Sequence, residues 1–422
     1  MAAIPFIYFS LLSFLFYRRN KRVDLAVFIS LCYAFTGLFS ILYDVFGVRS
    51  SITSNYHVSL LAAFVYCLCI TLCIWPVARF SKSFQYGLKP LPNDKLLRII
   101  ADVLFIFFLL FLLLAYQEII SVLTGDIGDV RNEVYRGTWE VSWMKGITNP
   151  LIRVIVVFFN LLTGAPWVFV MLGFYSSVIQ KMKGRYTLMF FAVSLLGPLN
   201  GILIADRSVT TYWVLAIIAN YILFRPYMDR RQAKNWLNFG MVLVALALVY
   251  ISMTTTSRFE EHSGAGGLSG SQLSVVAYLG QNFFGFCYFF DEFETPYIFP
   301  GILFPFITDQ LGGLSGATSL QELMDLRTGI QTGVFYTFLG HIKIFAGPVV
   351  MFLYVLFINL GGSALLRRMG SNPSLFGKFC YMLVASVSLF GLFVHYYAGS
   401  SKTFCVAAFF VIISAMSTRK AV

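Results

Sequence analysis

The chain is built from long apolar runs that recur along its whole length and carry almost no charge. One of them, residues 98–123, reads RIIADVLFIFFLLFLLLAYQEIISVL. A helix needs about 20 apolar residues to cross the hydrocarbon core of a bilayer. Only 12% of the chain is charged, against about a quarter in soluble domains. We therefore expect an all-α, polytopic integral membrane protein, with residues 1–422 forming a single transmembrane domain.

The apolar runs predict about eleven transmembrane helices. The predicted spans are 2–17, 24–47, 57–79, 98–123, 150–179, 187–205, 208–225, 237–254, 332–360, 376–397 and 402–417. The first run has no basic segment before it and no small-residue cleavage site after it, which favours a membrane helix over a cleaved signal peptide.

Basic residues fall in clusters that alternate along these spans. The clusters follow the first, third, fifth, seventh, ninth and eleventh spans, and together they hold 21 of the 31 Lys and Arg residues. Cytoplasmic loops are enriched in Lys and Arg. The pattern places the N-terminus outside and the C-terminus in the cytoplasm. It also explains the net charge of +12 without a nucleic-acid partner.

Two long loops are predicted on the outer side, at about 124–149 and 255–331. The second contains 273–290, LSVVAYLGQNFFGFCYFF, which is apolar enough to be a further span. A crossing there would invert every later helix and place Arg367 and Arg368 outside. We therefore expect re-entrant or interfacial helices here, because irregular backbone at membrane depth is tolerated where it lines a cavity.

Several arginines lie on the predicted outer side, against the general bias of basic residues toward the cytoplasm. Local ion pairing or snorkelling is one explanation, and Asp206 beside Arg207 fits it. As a set they indicate an anion site instead, because guanidinium binds phosphate oxygens in a bidentate fork. The candidates for this role are Arg131, Arg136, Arg153, Arg207, Arg258 and Arg327.

Two further segments carry ionisable groups near predicted outer helix ends. Asp291 and Glu292 lie in FFDEFETPY, where a carboxylate at an apolar boundary suits a general base. A solvated loop corner is the alternative. Tyr336, His341 and Lys343 lie in YTFLGHIKIFAGPV, and ionisable residues at membrane depth are candidates for function. Tyr336 and Lys343 are candidates for substrate binding, and snorkelling at the interface is the alternative. No tight metal-ligand spacing is present, so no metal or cofactor is predicted.

Four stretches of the chain resemble the bacterial oligosaccharide repeat-unit polymerases, the O-antigen polymerase family. They are DVRNEVYRG in the first outer loop, DRS after the sixth span, SRF at the start of the second outer loop, and YTFLGHIKIFAGPV at the ninth span. The order of these stretches and the long late outer loop match across nearly the whole chain. Family members often carry an acidic residue before the glycine of the last stretch, where this chain has Ala346 before Gly347.

The resemblance implies a metal-independent membrane glycosyltransferase of the bacterial plasma membrane. Its substrate would be an undecaprenyl-diphosphate-linked oligosaccharide, polymerised at the outer leaflet into O-antigen, capsule or exopolysaccharide. Membrane lipid surrounds such an enzyme, and a chain-length regulator is a candidate protein partner. Arg131, Arg136, Arg207 and Arg258 would hold diphosphates. Because the usual acid is missing, His341 or an acid from Asp291–Glu294 would be the base.

Two alternatives stay open from the sequence. One is a lipid-to-lipid glycan ligase, which would use related chemistry. The other is a flippase or secondary transporter, a class that tends to show repeated halves and polar residues near mid-membrane. The charges in this chain cluster at predicted outer helix ends and no convincing internal repeat is visible, which favours the enzyme.

Overall fold

The computed structural model describes residues 1–48, 53, 55–84, 87–125, 150–203, 206–259, 270–294, 336–370, 374–398 and 400–418. Within these ranges, the side chains of 150–154, 156, 253–259, 270–271, 400–401 and 418 are outside the description. The described residues form helices and short connections, with no strand among them. The all-α prediction is confirmed for this part of the chain.

The chain is divided into two compact units. The first unit contains α1 Ile4–Asn20, α2 Leu25–Val45, α3 Leu60–Phe80, α11 Gly270–Asp291, α12 Thr337–Leu356, a π-helical turn Phe357–Gly361 and α13 Gly362–Gly370. The second contains α4 Lys95–Thr124, α5 Pro150–Leu162, α6 Pro166–Val178, α7 Gly184–Ser194, α8 Leu196–Leu203, α9 Arg207–Phe224, α10 Arg230–Phe259 and α15 Ser400–Thr418. Helix α14, Leu375–Phe390, begins in the second unit and ends in the first. The single domain over 1–422 stays a prediction.

Eight helical stretches in the described part are long and apolar enough to cross a membrane. Three shorter apolar helices accompany them, at Pro166–Val178, Leu375–Phe390 and Lys402–Ser417. By composition and helix length, the chain is therefore a polytopic membrane protein. The count of eleven crossings and the orientation stay predictions.

Residues 273–290, which were expected to be re-entrant or interfacial, are helical, and their placement in the membrane stays a prediction. They belong to one continuous helix, α11, whose apolar part Gln272–Asp291 is itself long enough to span. This helix packs along α2, where Ser40 Oγ donates a hydrogen bond to the carbonyl oxygen of Gly280 at 2.9 Å. A Cβ on Gly280 would lie 2.4 Å from the carbonyl oxygen of Phe39, so only glycine permits this approach.

The two ends of the first unit differ sharply in charge. At one end, α1 finishes with Arg18 and Arg19, and α3 finishes with Arg79. Asp24 joins these helices: it caps α2 through the amide of Val27 at 3.0 Å and accepts from Ser81 Oγ at 2.5 Å. Helix α13 adds Arg367 and Arg368 at its last turn. We call this the basic end, and the opposite end carries the acids of α11.

Helix α12 folds back on itself. Gly347 has φ +86° and ψ 167°, and Pro348 follows it. The rings of Phe338 and Tyr354 contact each other with centroids 6.3 Å apart, although sixteen residues of straight helix would separate their Cα atoms by about 24 Å. The first arm, 337–346, is buried along nearly its whole length, whereas Pro348 and Val349 are exposed.

The start of that buried arm lies against the end of α14. The amides of Thr337 and Phe338 donate to the carbonyl oxygens of Phe393 and Gly391, at 2.8 and 2.9 Å. Because α14 stops at Phe390, the backbone that follows is irregular. These two bonds give partners to carbonyl oxygens in that irregular backbone. Irregular backbone buried in protein is compatible with membrane depth.

The predicted span 150–179 is also interrupted. It consists of α5 and α6, separated by a turn at 163–165 in which the amide of Gly164 donates to the carbonyl oxygen of Leu161 at 3.1 Å. Helix α6 is buried on nearly every side, including Trp167 and Phe174. Pro166 begins the second helix, as expected for a residue without an amide hydrogen.

Candidate functional site

A cluster of ionisable side chains lies at the end of the first unit opposite its basic end. Four sequence-predicted residues meet there: Asp291 from the end of α11, and Tyr336, His341 and Lys343 from the first arm of α12. The fold-back at Gly347 holds this arm in the interior of the unit, which brings His341 and Lys343 against α11 and the segment after α14.

His341 belongs to an aromatic and imidazole cluster. Its Nδ1 atom accepts a hydrogen bond from the backbone amide of His395 at 3.4 Å. The His395 ring lies between the rings of His341 and Tyr354, with centroid distances of 6.3 and 5.4 Å. Tyr336 contacts His341 at 5.8 Å. His341 is half-buried and His395 is buried, so His341 is the imidazole of the pair that a ligand can reach.

The hydrogen bond assigns a tautomer to His341. A nitrogen that accepts a hydrogen bond carries a lone pair, so the proton of the neutral ring lies on Nε2. In this state the imidazole offers Nε2–H as a donor. In this arrangement His341 can donate to an oxygen atom, and its role as a base stays a prediction.

Lys343 is buried, with 3% of its surface exposed. Its ammonium donates to the carbonyl oxygens of Phe289 and Phe293 at the end of α11, and it interacts electrostatically with Asp291 and Glu294. A cation at a helix C-terminus satisfies carbonyl groups that have no partner within the helix and complements the helix dipole. Lys343 thereby ties the buried arm of α12 to α11. Substrate binding by Lys343 stays a prediction.

Asp291 is exposed and receives a hydrogen bond from the hydroxyl of Tyr56 at 2.5 Å. Tyr56 lies between α2 and α3, and burial together with this bond raises the pKa of its hydroxyl above the usual value. The bond holds one carboxylate oxygen of Asp291, Oδ2, and none of the hydrogen bonds described involves Oδ1. Glu292 is exposed beside it, without a contact to the histidine cluster among the interactions described.

The second unit has a separate polar cluster around Asp206 and Arg207. Asp206 caps α9 by accepting from the amide and hydroxyl of Ser208, at 2.9 and 3.0 Å. Arg207 is half-buried in the first turn of α9. Lys402, at the start of α15, interacts electrostatically with Asp206 and lies 5.8 Å from the ring centroid of Tyr212. Two cations therefore lie around one carboxylate at this end of α9.

The other predicted arginines are not part of either cluster as described. Arg131 and Arg136 lie outside the described residues, and only the backbone of Arg258 is described, near the end of α10. Their role in diphosphate binding stays a prediction. Among the residues that the structure describes, no three His, Cys, Asp or Glu side chains are grouped closely enough to hold a metal ion.

The structure adds residues that the sequence reading did not select. Tyr56, His395 and Lys402 each contact a predicted site residue or its carboxylate neighbour. His395 had one visible signal, a histidine at the end of an apolar run. Tyr56 and Lys402 had none, because their contacts join segments that are distant in sequence.

Comparison with known proteins gives no relative for this chain. No family model matches, no curated protein matches, and no solved structure matches. The functional argument therefore depends on the chain's own residues.

Proposed function

We propose that this chain is a metal-independent membrane glycosyltransferase that polymerises undecaprenyl-diphosphate-linked oligosaccharide repeat units at the outer leaflet of the bacterial plasma membrane. The observation that carries the proposal is the meeting of an exposed carboxylate, a donor imidazole and a buried cation at one end of the first unit. That end lies opposite the basic end, which the positive-inside rule assigns to the cytoplasm.

The chemistry divides naturally among these groups. The acceptor hydroxyl attacks the anomeric carbon of the donor sugar, and the bond to the lipid diphosphate breaks through an oxocarbenium-like transition state. Asp291 Oδ1 takes the proton of the acceptor hydroxyl. Negative charge grows on the departing diphosphate and is met by preorganised donors, namely His341 Nε2–H and the arginines of the outer face.

A test in cells compares Asp291→Asn with Glu118→Gln, a matched change in a half-buried acid near the end of α4. Both variants are expected in the membrane at normal amounts. We expect Asp291→Asn to restrict the surface glycan to single repeat units, whereas Glu118→Gln keeps a normal ladder. A normal ladder from Asp291→Asn would contradict the role given to this carboxylate.

A secondary transporter is the second candidate, and the interruption of α12 at Gly347 favours it. Transporters often build their sites from discontinuous helices with irregular backbone at membrane depth. The purified protein in liposomes separates the two functions. An enzyme lengthens lipid-linked glycans on one side of the bilayer, whereas a transporter moves single repeat units across it and leaves their length unchanged.

A further inference from the structure

The second unit contains a groove of about 350 Å³. It lies where α6 ends, α7 begins and α10 begins. Its floor is aromatic: Trp236 contacts Phe191 and Phe239, with ring centroids 5.1 and 5.6 Å apart. The ring of Phe174 lies 4.7 Å from Trp236 on the protein side. These ring contacts make the floor a packed surface rather than a loose collection of side chains.

Polar groups line the groove beside the aromatic floor. Ser177, Gln232 and Asn235 provide a hydroxyl and two amides. Each can donate a hydrogen bond, and none carries a negative charge. An aromatic floor with neutral donors along one wall fits a molecule that has an apolar body and an oxygen-rich headgroup.

The surroundings of the groove are strongly basic. The link between α6 and α7 and the first turns of α7 and α10 carry six exposed cations. Two acids lie near them: Asp229 caps α10 through the amide of Gln232 at 2.7 Å, and Asp102 interacts electrostatically with Arg185. The exposed cations are Lys181, Lys183, Arg185, Arg230, Arg231 and Lys234. The positive-inside rule accounts for the bias in general, but it does not account for a lined cavity at its centre.

The groove also opens toward lipid. Helix α10 forms one of its walls, and only 6% of the apolar window of this helix is buried. Leu237, Met241 and Val242 on the same helix are exposed. A ligand whose acyl chains extend along the outer surface of α10 would therefore need no further opening of the protein.

We propose that this groove binds an anionic phospholipid of the cytoplasmic leaflet. The phosphate and glycerol oxygens meet Ser177, Gln232 and Asn235, the surrounding cations supply the attraction, and the acyl chains lie against Trp236 and Phe239. Basic pockets at the cytoplasmic side of membrane helices attract anionic headgroups in this way. The site is independent of the proposed glycosyltransferase activity, because it lies at the end of the second unit opposite Asp206 and Arg207.

The experiment uses the purified full-length protein in mixed micelles containing phosphatidylglycerol and phosphatidylcholine. Native mass spectrometry measures which lipid stays bound. We expect phosphatidylglycerol to be retained in preference to phosphatidylcholine, and excess inorganic phosphate not to displace it. Equal retention of the two lipids would overturn the proposal, and so would displacement by phosphate, which would indicate an anion site without lipid specificity.

Two matched variants locate the site. Asn235→Asp places a negative charge in the groove, whereas Asn238→Asp makes the same change on an exposed residue of α10 outside it. We expect the first to lower the preference for phosphatidylglycerol about fivefold and the second to leave it nearly unchanged. An equal effect of both changes, or no effect of the first, would show that the lipid is not held in this groove.

Fluorescence gives an independent reading. Brominated phosphatidylglycerol should quench tryptophan emission more strongly than brominated phosphatidylcholine, and the difference should disappear in Trp236→Phe. A difference that persists in Trp236→Phe would place the bound lipid elsewhere on the protein.

Discussion

Phe338 and Tyr354 belong to the same helical element, sixteen positions apart, yet their rings are in contact. The contact requires α12 to reverse direction between them, and the reversal occurs at Gly347. As a result, the first arm of α12 is buried inside the first unit. His341 and Lys343 are on that arm, so this one reversal determines where two of the candidate site residues lie.

We predict that Gly347→Ala destabilises the protein. Its φ of +86° and ψ of 167° lie in a region used almost only by glycine, although an added Cβ would meet no atom within 4 Å. The cost is therefore conformational and should be about 1–3 kcal/mol. Thermal unfolding in detergent measures it.

Gly184→Ala is the matched control, because its added Cβ also meets no atom within 4 Å and it lies in the first turn of α7. We expect this change to be neutral or slightly stabilising. Equal unfolding temperatures for the two variants would show that position 347 has no special backbone requirement.

Lys343→Met keeps the apolar stem of the side chain and removes its three donors. The carbonyl oxygens of Phe289 and Phe293 then lose their partner in a buried setting, at a cost of about 1–3 kcal/mol. We expect a lower unfolding temperature and faster proteolysis near residue 294. Lys234→Met, at an exposed position, should leave both unchanged, and a similar result for the two lysines would argue against the tie between α12 and α11.

Tyr56→Phe removes the hydroxyl that donates to Asp291. We expect a loss of about 1 kcal/mol in stability and a reduced polymerisation rate, because one oxygen of the carboxylate is no longer held. Tyr288→Phe is the control: its ring contacts Tyr56 with centroids 5.6 Å apart, and the change preserves that contact. If Tyr288→Phe slows polymerisation as much as Tyr56→Phe, the hydroxyl of Tyr56 has no particular role.

The orientation can be tested with single cysteines in a background from which the seven native cysteines are removed. His57 is exposed at a predicted outer helix end just before α3, and Lys183 is exposed in a predicted cytoplasmic cluster just before α7. A membrane-impermeant maleimide should label His57→Cys on intact cells and Lys183→Cys only after the inner membrane is permeabilised. The reverse labelling pattern would show that the predicted orientation is inverted.

The helices themselves were largely predictable, because a long uncharged run can form few structures other than a helix in a bilayer. The positions at which the helices are interrupted were harder to predict. The Gly347–Pro348 pair was visible in the sequence, but whether such a pair bends a helix or reverses it depends on what its two arms pack against. Residues 273–290 were expected to be re-entrant or interfacial because Gln281, Asn282 and Gly285 interrupt the run. In the structure Asn282 is buried, and the helix continues through all three.

The residues of the candidate site could be predicted from the sequence, but the contacts that they make could not. Asp291, His341 and Lys343 stand out because charge is scarce in this chain. Their partners are backbone atoms and aromatic groups from other segments, such as the amide of His395 and the carbonyl oxygens at the end of α11. A reading of residue types alone could not assign the tautomer of His341 or the helix-capping contacts of Lys343.

The most direct test of the proposed activity is polymerisation by the purified protein in liposomes supplied with diphosphate-linked repeat units. We predict that the unaltered protein produces a ladder of glycan lengths without added metal, that Asp291→Asn produces none, and that the exposed-site control His57→Ala produces a normal ladder. Failure of the unaltered protein to lengthen any lipid-linked glycan, together with transport of single units across the bilayer, would contradict the account.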